Sequence, residues 1–447
     1  MPNETASTTM NEELRDGRAG TAVLPGDAEW GKNPPIYPPP GVPGAVVRPE
    51  TPEQVAAALR FAADNGIGVG IRSGGHGSGH FDNDGGLVIE LSNFTGIEVD
   101  GTTVRVGGGA LWGDVAAELA KYDLALTSGD TKSVGVGGLT LGGGVGWLVR
   151  ELGLALDNLV AAEVVLPSGE FVTASADEHA DLFWALRGGG GNFGVVTTFV
   201  FEAHKLDGVV FGTLTYAVDG AADVLKGWRD VMREAPETFN STFLVMPAMG
   251  PGMEAAAQII VLHPGRVVAA AEPQLELLRA LPGYKSEDIA AKDYADALED
   301  SHPFEGPVPT ITGDNGFADD LDDATIDALV AAHATLAAGV LMVRYLRGAY
   351  NRVPADATAW AFRDAEAMLM LAAFLPPDSP RELIDGVHGS WKPVLAHTAG
   401  TYGNFAQEVG EQMTSLIYPA KTLARLREVK RTYDPGNLLS RNHNVVP

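Results

Sequence analysis

The sequence predicts an α+β protein of more than one domain, and three features predict it. Glycines crowd at 74–79, 107–109, 135–146 and 188–194, each cluster beside a short strand pattern. From about residue 209 to 400 the texture changes to helical patterns and strand-like runs with turn signals between them. The last stretch returns to compact, motif-like sequence. A chain of 447 residues, 45% hydrophobic, can bury a core large enough for two or three domains.

Residues 1–40 are polar and then proline-rich (Pro34, Pro35, Pro38, Pro39, Pro40), and are expected to form a loose arm. Order begins at Thr51-Pro52-Glu53-Gln54. Thr51 suits an N-cap, Pro52 the first helical position, and Gln54 can complete a capping box. That helix turns Val55, Leu59 and Ala62 inward and ends near Asn65-Gly66. An alternating strand at Ile67, Val69 and Ile71 runs straight into the loop Arg72-Ser73-Gly74-Gly75-His76-Gly77-Ser78-Gly79. Further strands are read at Leu87–Leu91, Thr103–Val106 and Val195–Phe201. A hairpin joins Glu163–Leu166 to Phe171–Thr173 through Pro167-Ser168-Gly169. Beyond residue 209 helices are expected at Glu272–Leu281 and Ala324–Leu336, and strands at Val340–Tyr345 and Ala367–Phe374. Pro419 opens a helix through Leu423, Leu426 and Val429, stopped by Asp434-Pro435-Gly436.

Composition excludes several classes. The formal charge of −27 is spread along the chain and repels phosphate backbones and anionic lipid, so neither nucleic-acid nor membrane partners are expected. No apolar run approaches the roughly 20 residues that cross a bilayer. The N-terminal segment lacks the apolar stretch of a signal peptide, so a soluble cytoplasmic protein is expected. The absence of cysteine removes disulfides, thiolate nucleophiles, iron–sulfur clusters and cysteine-based zinc sites.

Four glycine-rich loops within about 120 residues read either as tight turns of a β-rich domain or as the cradle of a large ligand. Glycine exposes backbone N–H groups and lets the chain approach a pyrophosphate closely. Near-matches to G-x-G-x-x-G at Gly142-Gly143-Gly144-Val145-Gly146 follow a segment too glycine-rich for a central strand, so a Rossmann site is weakly signalled. No P-loop motif exists. His76, flanked by glycine, has little reason to be a core residue. It reads as a turn histidine, as a metal ligand with His80, or as a point of covalent cofactor attachment. The glycines at 77 and 79 would not hold His76 and His80 helically, and no metal is expected.

At this point the motifs carry a resemblance. Arg72-Ser73-Gly74-Gly75-His76, with Asn83-Asp84-Gly85-Gly86-Leu87-Val88-Ile89, resembles the berberine-bridge-enzyme-like FAD-linked oxidases of the vanillyl-alcohol-oxidase, PCMH-type superfamily. The runs from Ser133 to Gly144 and from Asp181 to Thr197 agree, as do Tyr433-Asp434-Pro435-Gly436-Asn437-Leu438 and Asn442-His443-Asn444. The resemblance implies an FAD domain in two parts, 41–208 and 405–447. These fold together around a substrate domain, 209–404, with an antiparallel sheet covered by helices. It implies a bond from His76 to the flavin 8α-methyl carbon. Many relatives add a cysteine link; the matching position here is Thr131, so a single link is expected, as in the hydroxynicotine-oxidase subgroup.

The same resemblance implies cofactor contacts from Arg72, Ser73, Gly74, Gly75, Gly77, Gly129, Ser133, Val134, Gly135, Gly138, Leu139, Gly144, Gly194, Val196, Asn442 and Asn444. Loops 107–109 and 135–144 are expected at the pyrophosphate and ring edge. Cations are scarce there, so backbone dipoles must do most of the work. Val134 matches a position that gates oxygen in relatives, so dioxygen is the expected acceptor and hydrogen peroxide the product. A dehydrogenase with another acceptor, or a flavin carrier without turnover, are the alternatives.

Oxidation of an alcohol needs a base for the departing proton, and Tyr418 and Tyr402 are the candidates; either could instead be a core aromatic. A tyrosine base needs its pKa lowered from about 10 by a nearby cation. Asn404 is expected beside the substrate. Alternation along Met342–Gly348 places Val343, Tyr345 and Arg347 on one face, taken as the substrate face. That face holds no acid, which points away from a cationic amine and toward a phenolic, sugar-like or acidic compound; Arg347 could equally pair with a surface carboxylate.

Overall fold

The computed structural model describes residues 14–31, 42–77, 84–248, 252–300 and 309–447. The arm prolines and His80, Asp82 and Asn83 lie outside them. The strands are, in chain order, β1 (Thr21–Val23), β2 (Ala45–Arg48), β3 (Val69–Arg72), β4 (Leu87–Glu90), β5 (Ile97–Asp100), β6 (Thr103–Gly107), β7 (Leu124–Ala125), β8 (Leu159–Val165), β9 (Phe171–Ser175) and β10 (Val195–Glu202). They continue as β11 (His204–Lys205), β12 (Val209–Ala217), β13 (Asn240–Met246), β14 (Ala256–Pro264), β15 (Tyr284–Lys292), β16 (Thr310–Ala318), β17 (Gly339–Tyr345) and β18 (Ala367–Leu375).

Local chemistry accounts for the first elements. The Thr51 side chain accepts the N–H of Gln54 and caps helix Pro52–Asn65, which Gly66 ends in the left-handed region at φ 64°. Gln54 reaches the N–H of Glu50, one residue before the expected capping-box position. Strands β2, β4 and β3 run parallel in the order β1-β2-β4-β3, with β1 antiparallel at the edge. So residues 14–31 of the expected loose arm are folded: Leu14, Ala19 and Leu24 are buried against Val47, Leu59 and Ile89. The expected hairpin is β8–β9, within an antiparallel sheet ordered β5-β6-β10-β8-β9.

The middle of the chain builds a seven-stranded antiparallel sheet, β15-β12-β14-β13-β17-β18-β16. Both faces of its centre are buried. On one, Phe243, Leu341, Val343, Tyr345 and Leu369 pack on Trp228 and Leu329 of the covering helices. On the other, Ile260, Leu262 and Leu244 pack on Trp147 and Leu148, while Met342, Met368 and Phe317 meet Val145 and Trp360. The 145–156 segment therefore covers half of that second face. The other half is left facing the glycine loops.

Helix Ala420–Tyr433 returns the chain to its first part, with Leu423, Leu426 and Val429 buried against Leu186 and Phe193. Its Lys430 is fully buried and donates to Asp434 Oδ2 (2.7 Å), Asn192 O (2.7 Å) and Leu439 O (3.0 Å). An unpaired cation there would cost several kcal/mol, so the carboxylate and two carbonyls are what make it tolerable.

Two stability outcomes follow. Lys430→Met leaves Asp434 and two carbonyls short of a donor and is expected to cost about 3–5 kcal/mol, read from the denaturant midpoint; an unchanged midpoint contradicts this reading. Glu151, with a buried Oε2 lacking a partner, has its carboxyl pushed by burial up to about 7. A raised acid pKa favours the fold at low pH, so this group's stability falls as pH rises from about 4.5 through 7. Glu151→Gln should raise the Tm at pH 8 and leave it nearly unchanged at pH 4.

Candidate functional site

A cavity of about 710 Å³ lies between the glycine loops and the uncovered half of the sheet, within the size range of small-molecule and cofactor sites. Its floor is made by 72–77, 129–139, 190–196 and 439–443. Its roof comes from β16, β18 and β17, and Trp360, Phe362, Tyr402, Phe405 and Tyr418 stand at the side.

The glycines serve two purposes. A Cβ at Gly107, Gly108 or Gly109 would collide with the carbonyls of Phe94, Val196 or Leu91, so that run is fixed by chain crossing. It does not line the cavity, which corrects the expectation of a phosphate contact there. At Gly142, Gly143 and Gly144 a Cβ would strike Asn404, Trp360 and Ala155. Gly144 also lies off the cavity, its N–H donating to Tyr402 Oη (3.2 Å). Gly74 and Gly135 cross backbone to backbone, locking the first and third loops together. In contrast, Gly138 and Gly191 line the cavity, and a Cβ on either meets no protein atom within 4 Å. Their packing alone does not require glycine; a closely approaching ligand would. The run 135–146 also opens a helix, Val136–Gly142, rather than ending a strand.

His76 lines the cavity with Nε2 2.7 Å from Ser133 Oγ. Burial holds its pKa below the ordinary 6.5, opposed by Asp130, so the imidazole is neutral at physiological pH. Ser133 does not itself line the cavity; it holds the ring. Arg72, Ser73, Gly74, Gly75, Gly77, Gly129, Val134, Gly135, Gly138, Leu139, Gly194, Val196 and Asn442 are brought to the wall. Asn444 is not, and its buried Oδ1 has no partner. Arg72 is neutralised by Glu90 (3.3 Å), which also binds Arg48 (2.8 Å).

Tyr402 is buried, and its Oη accepts N–H groups from Gly144 and from Asn404 Nδ2 (3.0 Å), with Val145 N–H acting in the same sense. Burial still raises its pKa, as it does that of Tyr418, where no cation or donor counters it. The expected pKa-lowering cation is absent from both among the described residues. Asn404 lines the cavity but spends its amide on Gly138 O, Leu139 O and Tyr402, which makes it a brace.

Tyr345 and Arg347 require correction. Both line a separate cleft of about 630 Å³ with Arg150, Arg233 and Glu237. Tyr345 lies on the helix-covered face, donating to Glu366 Oε1 (3.2 Å), and Arg347 donates to the Asp319 carbonyl (3.2 Å). The period-two alternation of β17 holds, but it is the opposite face, Val340 and Met342, that meets the cavity. The argument against an amine substrate falls with it. Sequence reasoning also missed Asp130, held by Arg344 at 3.0 Å, with Glu299 beside Thr131 and Trp360 at the side. Arg441 was within sight, inside the Ser440–Asn444 motif, and it is a cation on the cavity wall.

Comparison with known proteins agrees with this geometry. Residues 43–175 match a family model described as an FAD binding domain. The chain is 31% identical over 427 residues to (R)-6-hydroxynicotine oxidase of Paenarthrobacter nicotinovorans, covering 91% of each. The chain belongs to the PCMH-type family of FAD-linked oxidases. It is 30% identical to a xylooligosaccharide oxidase of Thermothelomyces thermophilus, over 91% of this chain and 88% of that one. The solved structure of 6-hydroxy-D-nicotine oxidase from Arthrobacter nicotinovorans superposes with a TM-score of 0.84 at 28% identity, covering 96% of this chain and 98% of that one. The enzyme is thus an FAD-dependent oxidase, and its cavity fits the cofactor. Two open glycines give room, Asn442 presents a buried Oδ1 acceptor without a partner, and a neutral histidine stands at the wall.

Gly138→Leu should fold with a near-normal Tm yet carry far less FAD. Full flavin content in that variant would show that the open side of Gly138 does not face the cofactor.

Proposed function

We propose that the oxidase carries one FAD bonded to His76 alone and oxidises a small alcohol, sugar-like or phenolic compound with dioxygen as acceptor. The observation that carries this is His76 itself. It is a neutral imidazole in a glycine loop on the cavity wall, with Nε2 engaged by Ser133, in a chain with no cysteine for a second link. In the tautomer whose Nε2–H donates to Ser133 Oγ, Nδ1 is the nitrogen that would form the bond. Thr131, at the position where many relatives carry cysteine, lines the cavity, and its hydroxyl donates to Asp130 Oδ1 at 3.2 Å. Bound flavin supplies a hydride acceptor that returns two electrons to dioxygen, giving a carbonyl product and hydrogen peroxide.

The chain's own residues hold and orient the reactants. We assign the FAD part to 41–208 and 405–447, the substrate part to 209–404, and the cytoplasm as the compartment. No helix of the described residues is long and apolar enough to cross a membrane. Arg441 and the backbone of 74–77 and 135–138 are assigned to the cofactor. Of the two phenols, only Tyr402 has N–H donors on its oxygen, so its anion is the better stabilised and it is the one we assign to moving the alcohol proton. Tyr418 is assigned to packing and hydrogen-bonding the substrate.

Acid precipitation tests the attachment. Flavin should stay with the wild-type polypeptide and be washed from His76→Ala; release from wild type refutes the link. Because burial lowers the imidazole's pKa, covalent incorporation into apo-protein should begin to fall only at a pH below that expected for an ordinary histidine of about 6.5; loss at or above that pH contradicts this reading. Tyr402→Phe should lower kcat about 10²–10⁴-fold and change the pH profile, while Tyr418→Phe should act mainly on KM. The reverse pattern exchanges their roles.

A further inference from the structure

We infer that the substrate is an apolar alcohol, aromatic or aliphatic, with a single reacting hydroxyl, and not a saccharide or an amine; this rests on the oxidase reading above. The roof of the cavity carries the argument. Its side chains are Ile311, Val340, Met342, Met370 and Phe374. Register puts Ile311 opposite Phe374 and Met342 opposite Met370, with Val340 opposite Ala372. Gly313 pairs with Ala372 in the middle of this face, so small residues leave a trough between larger ones. None of these side chains carries a hydroxyl, amide or charge.

Polar groups nearby are already spent. Asp314 borders the cavity, but its carboxylate lies on the helix side, 2.8 Å from His388 Nδ1. Gln407 donates its amide to Ile311 O at 3.0 Å. Asn315, on the same strand as Ile311, is occupied in fixing the Tyr402 backbone, accepting its N–H at 2.7 Å. A saccharide carries a hydroxyl on nearly every carbon, and each one buried without a partner costs about 1–3 kcal/mol. An apolar body on the same surface gains roughly 25 cal/mol per Å² removed from water. The two thioethers adapt to flat rings. Tyr402, Tyr418 and the neighbouring Thr401 place their hydroxyls together at the side wall, which suits one polar reacting group. Of the acids on the cavity wall, Asp130 is paired with Arg344 of β17 at 3.0 Å, and burial raises the pKa of Glu299 and favours its neutral form, so neither presents a free carboxylate to a cation.

The test uses the flavin-loaded enzyme with 4-methoxybenzyl alcohol, geraniol, cellobiose and benzylamine. Anaerobic titration reads the flavin absorbance shift, and peroxide release reads turnover. Both alcohols should shift the spectrum and be oxidised, whereas cellobiose and benzylamine should do neither at tenfold higher concentration. In Met342→Gln/Met370→Gln, alcohol KM should rise roughly tenfold or more from the cost of burying two amides, with kcat within about threefold. Tighter binding of cellobiose or benzylamine overturns the inference. So does an unchanged KM in the double variant, or no response to either alcohol. If the purified chain holds no flavin, the proposed function fails separately. The roof is then read by Nile red, whose blue-shifted emission should be present in wild type and weakened in the double variant; no such emission overturns the inference.

Discussion

The assembly depends on one buried cation. The C-terminal segment must come back to the loop at 189–194, and both arrive with backbone carbonyls facing inward. Lys430 answers two of these carbonyls and Asp434 with its three N–H bonds. Asp434 in turn accepts the N–H groups of Leu438 and Leu439. Asn192 completes the knot, donating to Gly189 O and His443 O and accepting from Val445 N–H. Arg441 and Asn442 reach the cavity because this knot fixes the strand of chain that carries them.

Glycine density turns out to report two unlike pressures. At 107–109 and 142–144 the hydrogen side chain is required because another part of the protein occupies the space. At 138 and 191 the space is left open on the cavity wall. Both pressures produce the same run of letters. Steric fit inside a dense interior is as demanding as close approach to a ligand.

Electrostatics inside the cavity is set by burial more than by charge. The tyrosines stay protonated because desolvation outweighs their hydrogen bonds. His76 stays neutral for the same reason, although Asp130 opposes it. The site is therefore furnished with neutral, oriented donors and acceptors, and two of its charged groups are held in pairs, Arg72 with Glu90 and Asp130 with Arg344.

Local chemistry in the sequence determined much on its own. The Thr51 cap, the β8–β9 hairpin, the helix before Asp434, the placing of a histidine in a glycine loop, and the impossibility of a cysteinyl link all depend on neighbours within a few residues or on composition. The tertiary structure alone decided which face of β17 looks into the cavity. Period-two alternation separates Val343 and Tyr345 from Met342, but all seven residues of β17 are buried, since helices cover one face and the 145–156 segment and the cavity walls meet the other. With water on neither side, hydropathy carries no sign to tell the faces apart, and only the packing of the sheet against the rest of the chain supplies it.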